Sequence, residues 1–533
     1  MAGNWALQLV ERTNYLPNGL PMTRGPISRE EKCKVLVEAL YHDNDDWSHQ
    51  QNMNGFPSDH ANEEFASVMM ERLRIYNYCF IEGGIDVADV WSPQLGSSPL
   101  EFQHSMFPFL RIPGEGEDAL LPTVVDLSTM HKVPLHPAQL DIHNHNRNFW
   151  RSWSNMAQGR GIVTTFSAKK FSDFFFRQLK VLQYHNNELP IQIIVQDNEF
   201  SDDFIAEIAA AGERTKQSLY LVKISKLLDP ANQKYLSGWI NKLLANLFNT
   251  FEEFILLDAD VVPYAAPHTY FSTKEYTSTG LYMFQDRALL SETETICTDT
   301  LNSLEPSKQE VELLGSYLQF THTMDLQGKT QEESTYTALF KKKLPHNVET
   351  GLVTANKKSK MFGLVTSLML NLNTKLRACF WGDKEFYWLG PLFAGVSYTI
   401  EPTPAALTGF PLRRYENDIY QNTTLCDTHI AHVRDHELSW INGGLRTFKP
   451  EANINYKNIE NPPAKMSGCL IPDPAHGPWV REKRVFGHIH CAAVVEPDLD
   501  LTPYGEVIRF DEETQQRTDD ISKIWNSNID EHV

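Results

Sequence analysis

Between Gly161 and Phe284, short apolar runs alternate with stretches whose apolar residues recur at helical spacing. That alternation restricts the fold more than any other feature of the chain. Gly161 to Thr165 reads as a buried strand, after which Phe171, Phe174, Phe175, Leu179 and Leu182 mark one face of a helix. Pro190 opens a second strand, Ile191 to Val195, which leads to Asp197. Ser201 followed by two aspartates marks a helix start, since a hydroxyl cap and early acidic residues suit the positive helix terminus. Leu219 to Ile224 is a third strand, Trp239 to Phe251 an amphipathic helix, Phe254 to Leu257 a fourth strand and Gly280 to Phe284 a fifth. Strands separated by helices predict an α/β fold with a mostly parallel sheet and helices on both faces. Ligands of such sheets sit beyond the carboxyl ends of the strands, which points at Thr164, Asp197 and the residues after Leu257.

The flanks read differently. Residues 1–155 are polar and irregular, apart from a helix around Glu63 to Tyr76, and form an accessory or stem-proximal region. Within them His143-Asn144-His145-Asn146 reads as a polar loop rather than a metal site. After Asp286 a Thr-, Glu- and Gln-rich stretch reads as an insertion up to about Pro345. The remaining motif-like segments place a catalytic unit at 156–450 and a C-terminal extension at 451–533. The formal net charge of −20 disfavours nucleic acid and anionic membranes as partners. It also means that a diphosphate ligand needs a local cation. No run reaches the ~18 apolar residues of a membrane span, and the N-terminus lacks a signal-peptide pattern. None of the seven cysteines falls in a CxxC pair, and their odd number leaves room for one or two disulfides but not for complete pairing.

The segment that carries chemistry is Glu253-Phe254-Ile255-Leu256-Leu257-Asp258-Ala259-Asp260-Val261-Val262-Pro263. An apolar strand runs into two aspartates. In extended backbone, residues i and i+2 project to one side, so both carboxylates are expected to meet one hard cation. Such a metal offsets charge on a departing nucleoside diphosphate. Haloacid-dehalogenase-type phosphatases share the DxDx[TV] spelling. Their later acidic motif requires a further aspartate after Gly382-Asp383, where Phe386 and Tyr387 stand, and their nucleophile belongs on the first strand rather than the fourth.

Residues 251–263, together with Tyr276 to Arg287, resemble the fungal Golgi α-1,3-mannosyltransferase family (glycosyltransferase family 71). Further matching segments follow in the family's order: Gly159 to Val163, Leu189 to Ile193, Glu349-Thr350-Gly351, Gly382 to Glu385 with Trp388-Leu389-Gly390, and Cys426 to His432 with Trp440-Ile441-Asn442. Asp286-Arg287 resembles the α-1,3 branch more than the α-1,2 branch. The resemblance implies a GT-A-like, Rossmann-type fold, GDP-mannose as donor, Mn²⁺, retention of configuration and a mannose-containing glycan as acceptor. It implies Asp258 and Asp260 as metal ligands, with His432 as a third and His429 as the alternate; their clustering with His436 favours a site. Asp383, Glu385 and Glu349 are the candidate catalytic carboxylates, and Lys242, Asp286 and Arg287 join Thr164 and Asp197 as donor-binding candidates. The family's members are type II Golgi proteins with an N-terminal anchor that this sequence does not display. A non-catalytic glycan-binding protein is the remaining alternative.

Overall fold

The computed structural model describes residues 28–42, 63–92, 98–111, 121–135, 148–287 except 198, 295–315, 330–445 and, in shorter runs, 449–527, with residues 95 and 318. The His143 to Asn146 motif lies outside them. The strands are β1 (Thr123–Asp126), β2 (His131–Val133), β3 (Arg160–Thr164), β4 (Ile191–Val195), β5 (Leu219–Lys223), β6 (Glu253–Leu257), β7 (Val262–Pro263), β8 (Leu281–Gln285), β9 (Val348–Asn356) and β10 (Thr399–Ile400). The helices used below are α1 (Glu63–Tyr76), α2 (Ala168–Tyr184), α3 (Asp202–Thr215), α4 (Ile240–Phe248), α5 (Lys357–Leu372) and α6 (Phe386–Ala394). Local signals act as expected. Ser201 caps α3 by accepting the Phe204 amide at 3.3 Å. Phe254 and Leu256 of β6 join one apolar cluster, and Ile255 and Leu257 join another, so the sheet buries both faces.

The pairing departs from the expected mostly parallel sheet. The strand order is β10-β8-β9-β6-β3-β4-β5-β1-β2. The block β6-β3-β4-β5 and the β10–β8 pair are parallel. β9 runs antiparallel to both β6 and β8, and β1 runs antiparallel to β5 and β2. The fold is therefore α/β with a mixed sheet. The cause is where the connections return. Chain leaving β8 at the carboxyl edge comes back into β9 at that same edge, so no crossover reverses its direction. As a result the first residues of β9 lie beside the last residues of β6 and β8, with Leu352 opposite Leu257 and Val348 opposite Gln285.

A second sheet starts where the first ends. β7 pairs antiparallel with Glu437–Asn442 (β12), which pairs in turn with Ile430–Arg434 (β11). Residues 258–261 thus link the two sheets. Pro263 sits on the edge strand of the second, where its missing amide hydrogen breaks no central ladder. Six cysteines pair as Cys33–Cys79, Cys297–Cys379 and Cys426–Cys491, one bridge more than the sequence reading allowed, and Cys469 is free and buried.

The N-terminal helices belong to the same apolar cluster as α5 and α6. Arg74 of α1 anchors them. Its guanidinium is 2.8 Å from Glu310, with 2% and 0% of the two side chains exposed, and it also donates to the carbonyls of Phe393, at 3.0 Å, and Leu304. Removing one partner of such a pair strands a buried charge. Arg74→Ala is expected to lower the unfolding free energy by about 3–5 kcal/mol. Denaturant titration reads this as a shifted midpoint, with Arg74→Lys recovering only part because a lysine lacks the fork geometry.

Candidate active site

Four segments meet at the carboxyl edge of the central strands: the turn after β6, the end of β8, the start of β9 and the turn before α6. The Asp258 amide donates to the Gly351 carbonyl at 2.9 Å, and the Asp286 amide donates to the Asn347 carbonyl at 3.0 Å. Residues 258–261 do not continue the strand. The Val261 amide closes a turn on the Asp258 carbonyl at 3.0 Å. The Gln178 side chain of α2 holds the Asp258 and Val261 carbonyls at 2.7 and 2.8 Å. Strand alternation therefore does not place the two carboxylates, because the backbone turns between them. Gly351 is needed for space, since a Cβ there would lie 2.8 Å from the Trp440 ring and 3.0 Å from Val261.

Lys242 of α4 points at this turn. Its ammonium lies 2.9 Å from Asp258 Oδ2 and 3.6 Å from Asp383 Oδ2, and it donates to Thr350 Oγ1 at 3.2 Å. Burial alone would lower the ammonium; Asp258 and Asp383 outweigh it and hold it well above its ordinary value. The Asp258 carboxyl is pushed up by burial, and further by the charges of Asp260 and Asp383, against the pull of Lys242. One ammonium thus faces two carboxylates.

A second cluster surrounds Asp286, whose side chain has no exposure. It pairs with Lys384, with Arg287 at 3.3 Å and with His346 at 3.9 Å. Burial opposes ionisation, yet Lys384 and Arg287 hold the Asp286 carboxyl well below the usual carboxylate range. His346 is pushed down to about 4, by burial and then by Lys384. Glu349 Oε1 accepts the amides of Thr350 and Gly351 at 3.0 and 3.2 Å, and its charge reaches Lys384 and His432. Glu385 faces inward. It accepts the Asn347 amide at 2.8 Å and the Trp388 indole at 2.6 Å, and burial pushes its carboxyl up to about 7.

The histidines do not cluster as expected. His432 stacks on Trp440 at 3.8 Å, beside Phe284, and burial pushes it down to about 4. His429 is paired with Asp427 at 2.7 Å. His436 is 78% exposed and reaches Glu506 at 2.9 Å, because it lies on the turn that ends β11. Thr164 is buried at the end of β3, and Asp197 is exposed after β4 with its amide on the Ser225 hydroxyl. No hydrogen bond or ion pair among the described residues ties either to the two clusters. Among the described residues, one trio of potential metal-ligand atoms falls within 4.8 Å: Cys426, Glu482 and Cys491. Its two cysteines are joined in a disulfide, which removes them as ligands. Sequence reading gave no role to Thr350, His346 or Lys384. Lys384 was visible as a cation between two acids, whereas the place of His346 depends on tertiary contacts.

The sequence profile of the Mannosyl_trans3 mannosyltransferases matches residues 159–434. The chain is 37% identical to the α-1,3-mannosyltransferase MNT3 of Saccharomyces cerevisiae, over 94% of this chain and 84% of that one. It is 28% identical to the α-1,3-mannosyltransferase MNT2 of the same yeast, over 72% of each chain. It is 23% identical to the α-1,3-mannosyltransferase MNN1 of that yeast, over 94% of this chain and 81% of that one. The chain is a glycosyltransferase and belongs to the fungal Golgi α-1,3-mannosyltransferase family.

Proposed function

We propose that the chain is a retaining α-mannosyltransferase. It moves mannose from GDP-mannose to a hydroxyl of a terminal mannose on an N- or O-linked glycan, with an α-1,3 linkage. The observation that carries this reading is the pair of carboxylates Asp258 and Asp383 on the Lys242 ammonium at the sheet's carboxyl edge, with the charge of Asp260 acting on Asp258. The names of the three yeast relatives support the linkage. We assign 156–450 as the catalytic unit, GT-A-like in its β6-β3-β4-β5 block, with 1–155 as an accessory region and 451–533 as an extension. Three disulfides suit the oxidising lumen of the secretory route.

The chemistry of the donor set supports a divalent cation, although the ligand atoms of Asp258, Asp260 and His432 do not converge within 4.8 Å in this structure. Asp383 Oδ2 is buried with no hydrogen-bond donor, and Asp258 shares the one Lys242 ammonium with it, which leaves hard oxygen donors for a cation. Asp258 and Asp260 would hold the ion, with His432 as a third ligand. When bound, Mn²⁺ neutralises charge on the leaving diphosphate. Lys242 orients Asp258. Asp383 and Glu349 take the acceptor hydroxyl and the donor sugar, and Glu385 fixes the backbone in front of Glu349. Thr164, Asp197, Asp286 and Arg287 serve the donor side.

The deciding experiment is transfer from GDP-mannose to α-1,2-mannobiose with Mn²⁺, with the product linkage read by NMR. Asp258→Asn and Asp260→Asn should each cut the rate by about 100-fold or more, while circular dichroism stays unchanged. Full activity of either variant in EDTA would refute the metal role. Lys242→Met should act in two opposite directions. Removing the competing ammonium lets half-maximal activation occur at lower Mn²⁺, while the maximal rate falls. An unshifted Mn²⁺ titration would show that Lys242 and the metal do not share these carboxylates.

A further inference from the structure

Two large indoles stand in solvent at one place on the molecule. Trp239 and Trp381 are 65% and 68% exposed, whereas Trp150, Trp153, Trp388, Trp440 and Trp525 are buried. Exposed apolar side chains that occur singly are ordinary, but a convergent pair marks a binding surface. The convergence is at Gly382. Trp381 precedes it in the chain, and a side chain on Gly382 would begin 3.6 Å from the Trp239 ring. Gly382 has φ +84°, a left-handed conformation that glycine adopts at little cost. The chain reverses there. The Trp381 indole stays outside, while the Asp383 carboxylate, only 3% exposed, turns in to within 3.6 Å of Lys242.

Each indole also adjoins one of the two charged clusters. Trp239 immediately precedes α4, which carries Lys242 one turn later. Trp381 meets His346 edge-on at 5.1 Å, and His346 lies 3.9 Å from Asp286. The two rings therefore form the rim of the candidate active site, with carboxylates beneath them.

We propose that Trp239 and Trp381 form an aromatic platform for the acceptor, stacking on the C–H face of its mannose ring while its hydroxyls reach the carboxylates below. This assignment rests on the mannosyltransferase reading above. A pyranose presents an apolar face and a hydroxyl edge, and the rim offers ring faces above and hydrogen-bond acceptors within. Charge separates acceptor from donor. A neutral glycan meets no charge repulsion from these carboxylates, whereas a nucleoside diphosphate needs the cation proposed above.

The test is calorimetric titration of the full chain with α-1,2-mannobiose, alongside steady-state transfer. Trp239→Ala and Trp381→Ala should each weaken mannobiose binding by about tenfold, with the phenylalanine variants recovering part of it. The rise in KM should fall on the acceptor and not on GDP-mannose. Both side chains are exposed, so unfolding midpoints should match the wild type and exclude misfolding as the cause. Unchanged mannobiose affinity in both alanine variants would overturn the platform. So would a wild type that does not bind mannobiose, or a rise confined to the KM for GDP-mannose, which would give the indoles to the donor's base. Binding is read without turnover, so the two claims separate. Tryptophan-dependent mannobiose binding without transfer would leave the platform standing and sink the proposed reaction.

Discussion

The backbone bond from the Asp258 amide to the Gly351 carbonyl, 2.9 Å long, closes the ladder between β6 and β9 at the edge where the acids collect. It exists because β9 runs antiparallel beside β6. Had β9 entered from the opposite edge, Glu349 and Thr350 would lie at the far end of the sheet from Asp258. The same reversal sets Asn347 against Asp286 and gives Glu385 a backbone amide to hold. Glu349, Thr350 and the approach through His346 and Asn347 reach the two charged clusters through that one choice of strand direction.

Charge is the second constraint. Burying a carboxylate without a partner is costly, and the chain answers with two unequal arrangements. Around Asp286, Lys384 and Arg287 together hold the acid ionised. Around Asp258, the single Lys242 ammonium is shared with Asp383 and the neighbouring acids remain under-compensated. The first arrangement is self-sufficient. The second leaves two acids on one ammonium, and this asymmetry is what supports the proposal of a cation at Asp258 rather than at Asp286.

Much of the architecture was legible in the chain itself. Helix α1, the strands β3, β4 and β6, and the Ser201 cap could be read from local pattern because burial and capping are local effects. What could not be read was set by topology. The direction of β9 depends on the edge at which a long connection returns, and no residue within Val348–Asn356 encodes it. The turn at 258–261 depends on Gln178, far away in sequence, holding two carbonyls. His436 was misplaced because proximity in sequence says nothing about a hairpin turn that carries it into solvent. The third disulfide escaped for a similar reason, since pairing follows from which strands and helices come together.

The Cys297–Cys379 bridge lies two residues before Trp381. It staples the helix Thr295–Ser303 to the segment that leads into the rim of the site. Oxidation state and rim rigidity are therefore coupled in this protein. A copy matured in a reducing cytosol lacks the staple, and its outer indole is then positioned by non-covalent contacts alone.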